Sequence, residues 1–178
     1  MGEVTGGPER PRSRLSAPVP LASNHDLSAF DCGEPALNHW LQHRAKRNES
    51  RFSRTYVVCD GNRVVAYFCI SAGSVERAAA PGKVRRNAPD TIPISVIGRL
   101  AVSREESGKG LGADMLSDAL RRIAVASQSI GIGAVLVHAK AAAAKRFYMK
   151  YAEFIEYPAD SRALFLPIET VVAAFSPS

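Results

Sequence analysis

Cysteine, tryptophan and methionine are scarce in this 178-residue chain, which has three Cys, one Trp and three Met. Cys32, Cys59 and Cys69 are odd in number and show no C-x-x-C spacing. A disulfide framework or a cysteine-built zinc site is therefore not expected, and reduced thiols of a cytoplasmic protein are. No apolar run approaches the roughly 18 residues that a membrane-crossing helix needs, so no membrane association is expected. The first residues carry arginine and proline without an apolar stretch, which argues against a secretory signal. Internal repeats are absent. His39 and His43 are four apart on a predicted helix but lack an H-E-x-x-H pattern and a third ligand, so no metal is expected.

What the chain does have is ordinary globular content, 46% hydrophobic and 22% charged residues, with a net charge of +6 from 23 Lys and Arg against 17 Asp and Glu. Its length suits one domain. The basic balance favours an anionic partner, whether nucleic acid, a phosphorylated cofactor or an acidic surface. Residues 1–20, rich in Pro, Gly, Ser and Arg, are expected to form a flexible arm ahead of a single domain over 21–178.

Hydrophobic periodicity predicts an amphipathic helix from Asp31–Gly33 to about Asn48, with Leu37, Trp40, Leu41 and Ala45 inward. Strands are expected at Thr55–Cys59 and Val64–Ser71, joined by the turn Asp60-Gly61-Asn62. A proline-punctuated basic connection over residues 78–93 holds Lys83, Arg85 and Arg86. Then follow a central strand at 94–102, a helix from Gly110 to about Ser127, and a strand at 134–139. A helix at 141–153, a strand at 163–166 and a closing helix at 168–175 complete the order. The alternation predicts an α/β fold, a mixed sheet flanked by helices.

The most informative stretch joins the central strand to its helix: Gly98-Arg99-Leu100-Ala101-Val102, then Ser107-Gly108-Lys109-Gly110-Leu111-Gly112. A glycine-rich turn opening a helix exposes backbone N–H groups beside the positive end of the helix dipole, a setting that favours phosphate or pyrophosphate. A P-loop would need Ser or Thr after Gly108-Lys109, where Gly110 stands. A dinucleotide turn would need G-x-G-x-x-G and an acidic residue about 20 positions on, where the strand at 134–139 instead runs into Lys140.

In order and spacing, several segments from Asp31 to Pro167 resemble the GNAT-family N-acetyltransferases, in particular the toxins of bacterial type II toxin–antitoxin modules that acetylate aminoacyl-tRNA. The segments are Phe30-Asp31-Cys32-Gly33, Leu37-Asn38-His39-Trp40-Leu41, Arg54-Thr55-Tyr56-Val57, Gly98–Val102, Gly108–Gly112, Asp118-Ala119-Leu120, Val137–Lys140, Phe147-Tyr148 and Leu164–Pro167. The resemblance implies the GNAT fold, acetyl-CoA as co-substrate, an aminoacyl-tRNA substrate, a ribbon-helix-helix antitoxin and a homodimer. It implies that Leu100, Ala101 and Val102 hold the pantetheine arm. It implies that Ser107, Gly108, Lys109, Gly110, Leu111 and Gly112 hold the pyrophosphate, and that Tyr148 is the general acid for the departing thiolate. Ser107 stands where the family has Arg or Gln, Ala141 where its helix carries Asn, and Tyr151-Ala152-Glu153-Phe154 is one residue longer than the family pattern.

The chain offers no obvious general base in sequence. A lysine amine with pKa ~10.4 is roughly 0.04% neutral at pH 7, whereas an α-amine near ~7.8 is about 15% neutral, so a site without a strong base suits an α-amine. Lys83, Arg85, Arg86 and Arg99 are the candidate tRNA contacts, by salt-sensitive interaction with phosphate. Two other readings stay open: acetylation of a protein N-terminus or small amine, and a non-catalytic acyl-CoA-binding or RNA-binding module.

Overall fold

Gly61, with φ +61°, reverses the chain between two strands that pair antiparallel from Arg54↔Ile70 to Asp60↔Arg63. That hairpin, β2 (Arg54–Asp60) and β3 (Arg63–Glu76), is part of the sheet of this computed structural model, which describes residues 14–49 and 51–176. β4 (Thr91–Val102) lies antiparallel to β3 along most of its length. With β1 (Val19–Pro20), β5 (Ala134–His138), β6 (Ile155–Tyr157) and β7 (Asp160–Pro167), the described strands form one sheet in the order β1-β2-β3-β4-β5-β7-β6. The β4–β5 pair is parallel, as its intervening helix requires, and the others are antiparallel.

Helices cover both faces. On one face α1 (Pro35–His43) and α2 (Ala45–Asn48) lay Trp40, Leu41 and Ala45 on Val57, Tyr67, Cys69 and Ala101. The single helix expected to Asn48 breaks at Arg44, whose backbone leaves helical geometry at φ −121°. A short helix α3 (Gly82–Arg85) extends this face by setting Val84 against Ile92, Leu136 and Phe165. On the other face α4 (Leu111–Ala126) buries Met115, Leu116, Ala119, Leu120 and Ile123, as its periodicity predicts, while Leu111 is only partly buried. α5 (Ala142–Tyr151) and α6 (Ile168–Phe175) join it on that face.

Other elements depart from expectation too. β3 runs on to Glu76 because its partner β4 begins at Thr91. β6 is a three-residue strand that hydrophobic periodicity could not show. Of the arm expected over residues 1–20, residues 1–13 lie outside the described residues. Val19 and Pro20 pair with Val57 and Tyr56, and Leu15 bridges Asp60.

That edge is fastened to α4 through a buried carboxylate. Asp118 binds Arg121 and, at 2.7 Å, Arg122; the Arg122 guanidinium also donates to the Pro18 carbonyl at 3.1 Å and sits 3.9 Å from the Tyr56 ring centre. Removing the carboxylate leaves a half-buried guanidinium unneutralised. Asp118→Ala is therefore expected to cost about 2–3 kcal/mol, read as a lowered urea midpoint with unchanged slope.

Candidate active site

Gly98 sets the geometry of the site. Cys69 pairs with Arg99 and Ile70 with Ile97, so Gly98 is the extra residue of a β-bulge. The bulge turns Gly98 and Arg99 toward the same face of the sheet. A Cβ at Gly98 would stand 3.3 Å from the Cys69 Sγ, so the position favours glycine. Just beyond the bulge the sheet opens. β4 pairs with β5 only from Ile94↔Ala134 to Ile97↔Val137. From Gly98 to Val102 the β5 side of β4 has no strand partner, while β5 carries on to His138 against β7. The unpaired edge leaves backbone donors and acceptors free along Leu100–Val102.

The glycine turn lies at the far end of that edge. Gly108 and Gly110 have φ of +76° and +86°, conformations that side chains rarely adopt, and nothing lies within 4 Å of where a Cβ would stand. None of the amides from Gly108 to Ala113 donates to a backbone carbonyl. These free donors, with the α4 dipole behind them, form an anion-binding concavity. A Cβ at Gly112 would stand 3.4 Å from the Phe147 ring of α5, so a glycine there lets the two helices approach closely. Ser107 is exposed on the approach. Lys109 does not stand alone: its Nζ is 3.4 Å from Glu106 Oε2, so part of its charge is already balanced.

Tyr148, on α5, is 7% exposed and held between Phe147 and Phe154, with ring centres 5.3 and 5.6 Å away. The longer segment after Tyr151 thus ends by placing Phe154 against Tyr148. The Tyr67 and Tyr157 hydroxyls donate to the Leu37 and Ala78 carbonyls, whereas the Tyr148 hydroxyl donates to no described residue. It is also absent from the fully enclosed unpartnered oxygens, those of Ser53, Thr55 and Ser103, so it reaches an opening. Burial, with a smaller contribution from Cys69, pushes its pKa up to about 12.

Arg99 has no carboxylate in ion-pairing range among the described residues. Its guanidinium instead lies 4.4 Å from the Trp40 ring centre. Lys83, Arg85 and Arg86 are exposed around Val84 on that same face. The turn and Tyr148 thus belong to the α4–α5 face, and the predicted cationic residues to the α1–α3 face, with the opening between β4 and β5 connecting them. Trp40 stacks on Arg99, Cys69 pairs with it across the strands and His138 ends β5; none of the three was given a place in the site by the sequence reading. A glycine inside a strand was the available signal for the bulge. A groove of about 870 Å³ lined by Leu116, Leu120, Val171 and Phe175 lies between α4 and α6.

Comparison with known proteins decides the family. The model of the acetyltransferase (GNAT) family matches residues 21–154. This chain belongs to the GNAT family. It is 43% identical over 155 residues to a tRNA-acetylating toxin of Mycobacterium tuberculosis, covering 86% of this chain and 93% of that protein. The solved structure of AtaT complexed with acetyl-methionyl-tRNAfMet is similar to it with a TM-score of 0.83 and 31% identity, over 91% of this chain and 99% of that one. A tyrosine-to-phenylalanine mutant of the AtaT toxin, bound to the C-terminus of the antitoxin AtaR and acetyl-CoA, matches with a TM-score of 0.78 and 30% identity, over 92% and 99%. Among the described residues no helix is long and apolar enough to cross a membrane, and no group of three metal-ligating side chains occurs.

Proposed function

We propose that this protein transfers the acetyl group of acetyl-CoA to the α-amine of an aminoacyl-tRNA, and so acts as the toxin of a toxin–antitoxin pair. The observation that carries the reading is the opening between β4 and β5, with free turn amides at one end and an unpartnered Tyr148 hydroxyl on α5. Pyrophosphate fits the amides of Gly108–Gly112, and an extended amide-bearing arm fits the edge Leu100–Val102. Lys109 and the exposed Ser107 flank the phosphates.

The acceptor amine attacks the thioester carbonyl, the C–N bond forms, and the C–S bond breaks. Tyr148 donates its proton to the departing sulfur, and the proton that the acceptor nitrogen loses on forming the amide returns to the Tyr148 phenolate through solvent, leaving amide and free thiol. A phenol near pKa 12 stays protonated across the working range, and the sulfur shares a dry site that raises its own basicity. In this reading Lys83, Arg85 and Arg86, exposed on the α1–α3 face, contact tRNA phosphates, with Arg99 nearer the opening. Similarity to the antitoxin-bound and tRNA-bound AtaT structures supports the substrate and a protein antitoxin. We extend the reading to a ribbon-helix-helix antitoxin, a homodimer, a cytoplasmic location and a single domain, which takes in β1 ahead of the boundary expected at residue 21.

The test is transfer of label from acetyl-CoA to purified tRNA. Label is expected on charged tRNA and not on deacylated tRNA, and its release by deacylation at mild alkaline pH would place it on the amino acid. Labelling of peptide N-termini or polyamines at equal efficiency would sink the tRNA reading.

A further inference from the structure

A half-buried cation beside the acceptor site of an amine acetyltransferase acts on the charge state of the amine as well as on any phosphate. An arm seated along Leu100–Val102 from the turn at Gly108–Gly110 ends at the bulge, where β4 and β5 come together at Ile97 and Val137. α4 and α5 fill one face there, so the acceptor enters from the other, where the bulge aims Arg99. Arg99 is half-buried, stacked on Trp40, and without a carboxylate to neutralise it. Its cross-strand neighbour is the Cys69 thiol. Trp40 holds the planar guanidinium in place without cancelling its charge.

We propose that Arg99 keeps the acceptor amine unprotonated, so that the substrate needs no protein base. A fixed positive charge beside an amine disfavours its ammonium form, and partial burial limits the screening by solvent. Taking an amine to be the acceptor rests on the function proposed above; the role of Arg99 does not depend on which amine it is.

The groups around Arg99 are few. β3 contributes Tyr67 and Cys69, and the segment before α1 contributes Cys32, flanked by Asp31 and Glu34. α5 contributes Tyr148. Burial pushes all four of these thiols and phenols up, away from neutral pH. From the end of α2 comes Glu49, raised by burial, whose carboxylate accepts the Thr55 N–H at 2.7 Å. β5 ends in His138, which pairs with Ala163 and so faces the same side as Arg99.

The experiment is the pH dependence of kcat between pH 6 and 9, at saturating acetyl-CoA and charged tRNA so that the bound amine is read, for wild type, Arg99→Gln and Arg99→Lys. If the guanidinium lowers the amine pKa by about one unit, Arg99→Gln loses about 5–10-fold at pH 6.5 and less than about two-fold at pH 9. Arg99→Lys keeps the limb near its wild-type position. A loss of equal size at every pH would make Arg99 a phosphate contact or a packing residue and overturn the proposal. An acid limb abolished by His138→Asn or Glu49→Gln would assign it to a protein base, with the same result. If wild type transfers nothing to charged tRNA at any pH, the tRNA function fails on its own. The Arg99 series is then scored on amino-acid ethyl esters, where an unshifted limb, or no turnover, overturns it.

Discussion

Tyr148→Phe is expected to lower kcat by about 10²–10³-fold while KM for both substrates stays within about two-fold, the pattern of an interaction made mainly in the transition state. The change deletes one oxygen. Phenylalanine keeps the edge-to-face contacts with Phe147 and Phe154 that hold the ring. The hydroxyl has no protein partner among the described residues, so its removal strands no buried donor or acceptor, and the urea midpoint should move little. Stability and activity therefore separate cleanly at this position. A variant that lost both would show that the phenol matters for packing. A variant with wild-type kcat would show that the departing sulfur finds its proton elsewhere, from water or from the attacking amine.

This residue also illustrates what the sequence could and could not disclose. An unperturbed phenol near ~10 and a thiol near ~8.5 look nearly matched for proton transfer. Burial pushes the Tyr148 phenol to about 12, which widens that gap. The transfer then depends on the sulfur being desolvated in the same site, a property of packing that no linear pattern records. Other features were local and therefore legible. The turn at Gly61, the inward stripe of α4 and the closing helix Ile168–Phe175 follow from periodicity and glycine placement. The opening between β4 and β5 was not legible, because it depends on how far two strands distant in sequence remain in register. The same holds for Arg99: a cation within a strand reads equally as a buried ion pair or a substrate contact. Only the register at Gly98 and the stack on Trp40 place it at the mouth of the site.

The second large effect is expected at Gly110, where two substitutions separate charge from strain. With φ at +86° and nothing within 4 Å of a built Cβ, the position resists side chains for conformational reasons and not for lack of room. Asn and Asp are the side chains that best tolerate left-handed backbone, and they are nearly the same size. Gly110→Asn should weaken acetyl-CoA binding only a few-fold. Gly110→Asp adds a negative charge to a turn whose free amides await an anion. At roughly 6 Å from one pyrophosphate charge and an effective dielectric constant near 20, the repulsion is about 2–3 kcal/mol, a loss of roughly 30–150-fold in affinity. Calorimetric Kd values at low and high salt measure both terms. The Asp-specific part should shrink as salt rises, and the Asn penalty should not. Equal penalties for the two would move the pyrophosphate away from this turn. An Asp penalty that persisted at high salt would point instead to backbone rearrangement at the start of α4.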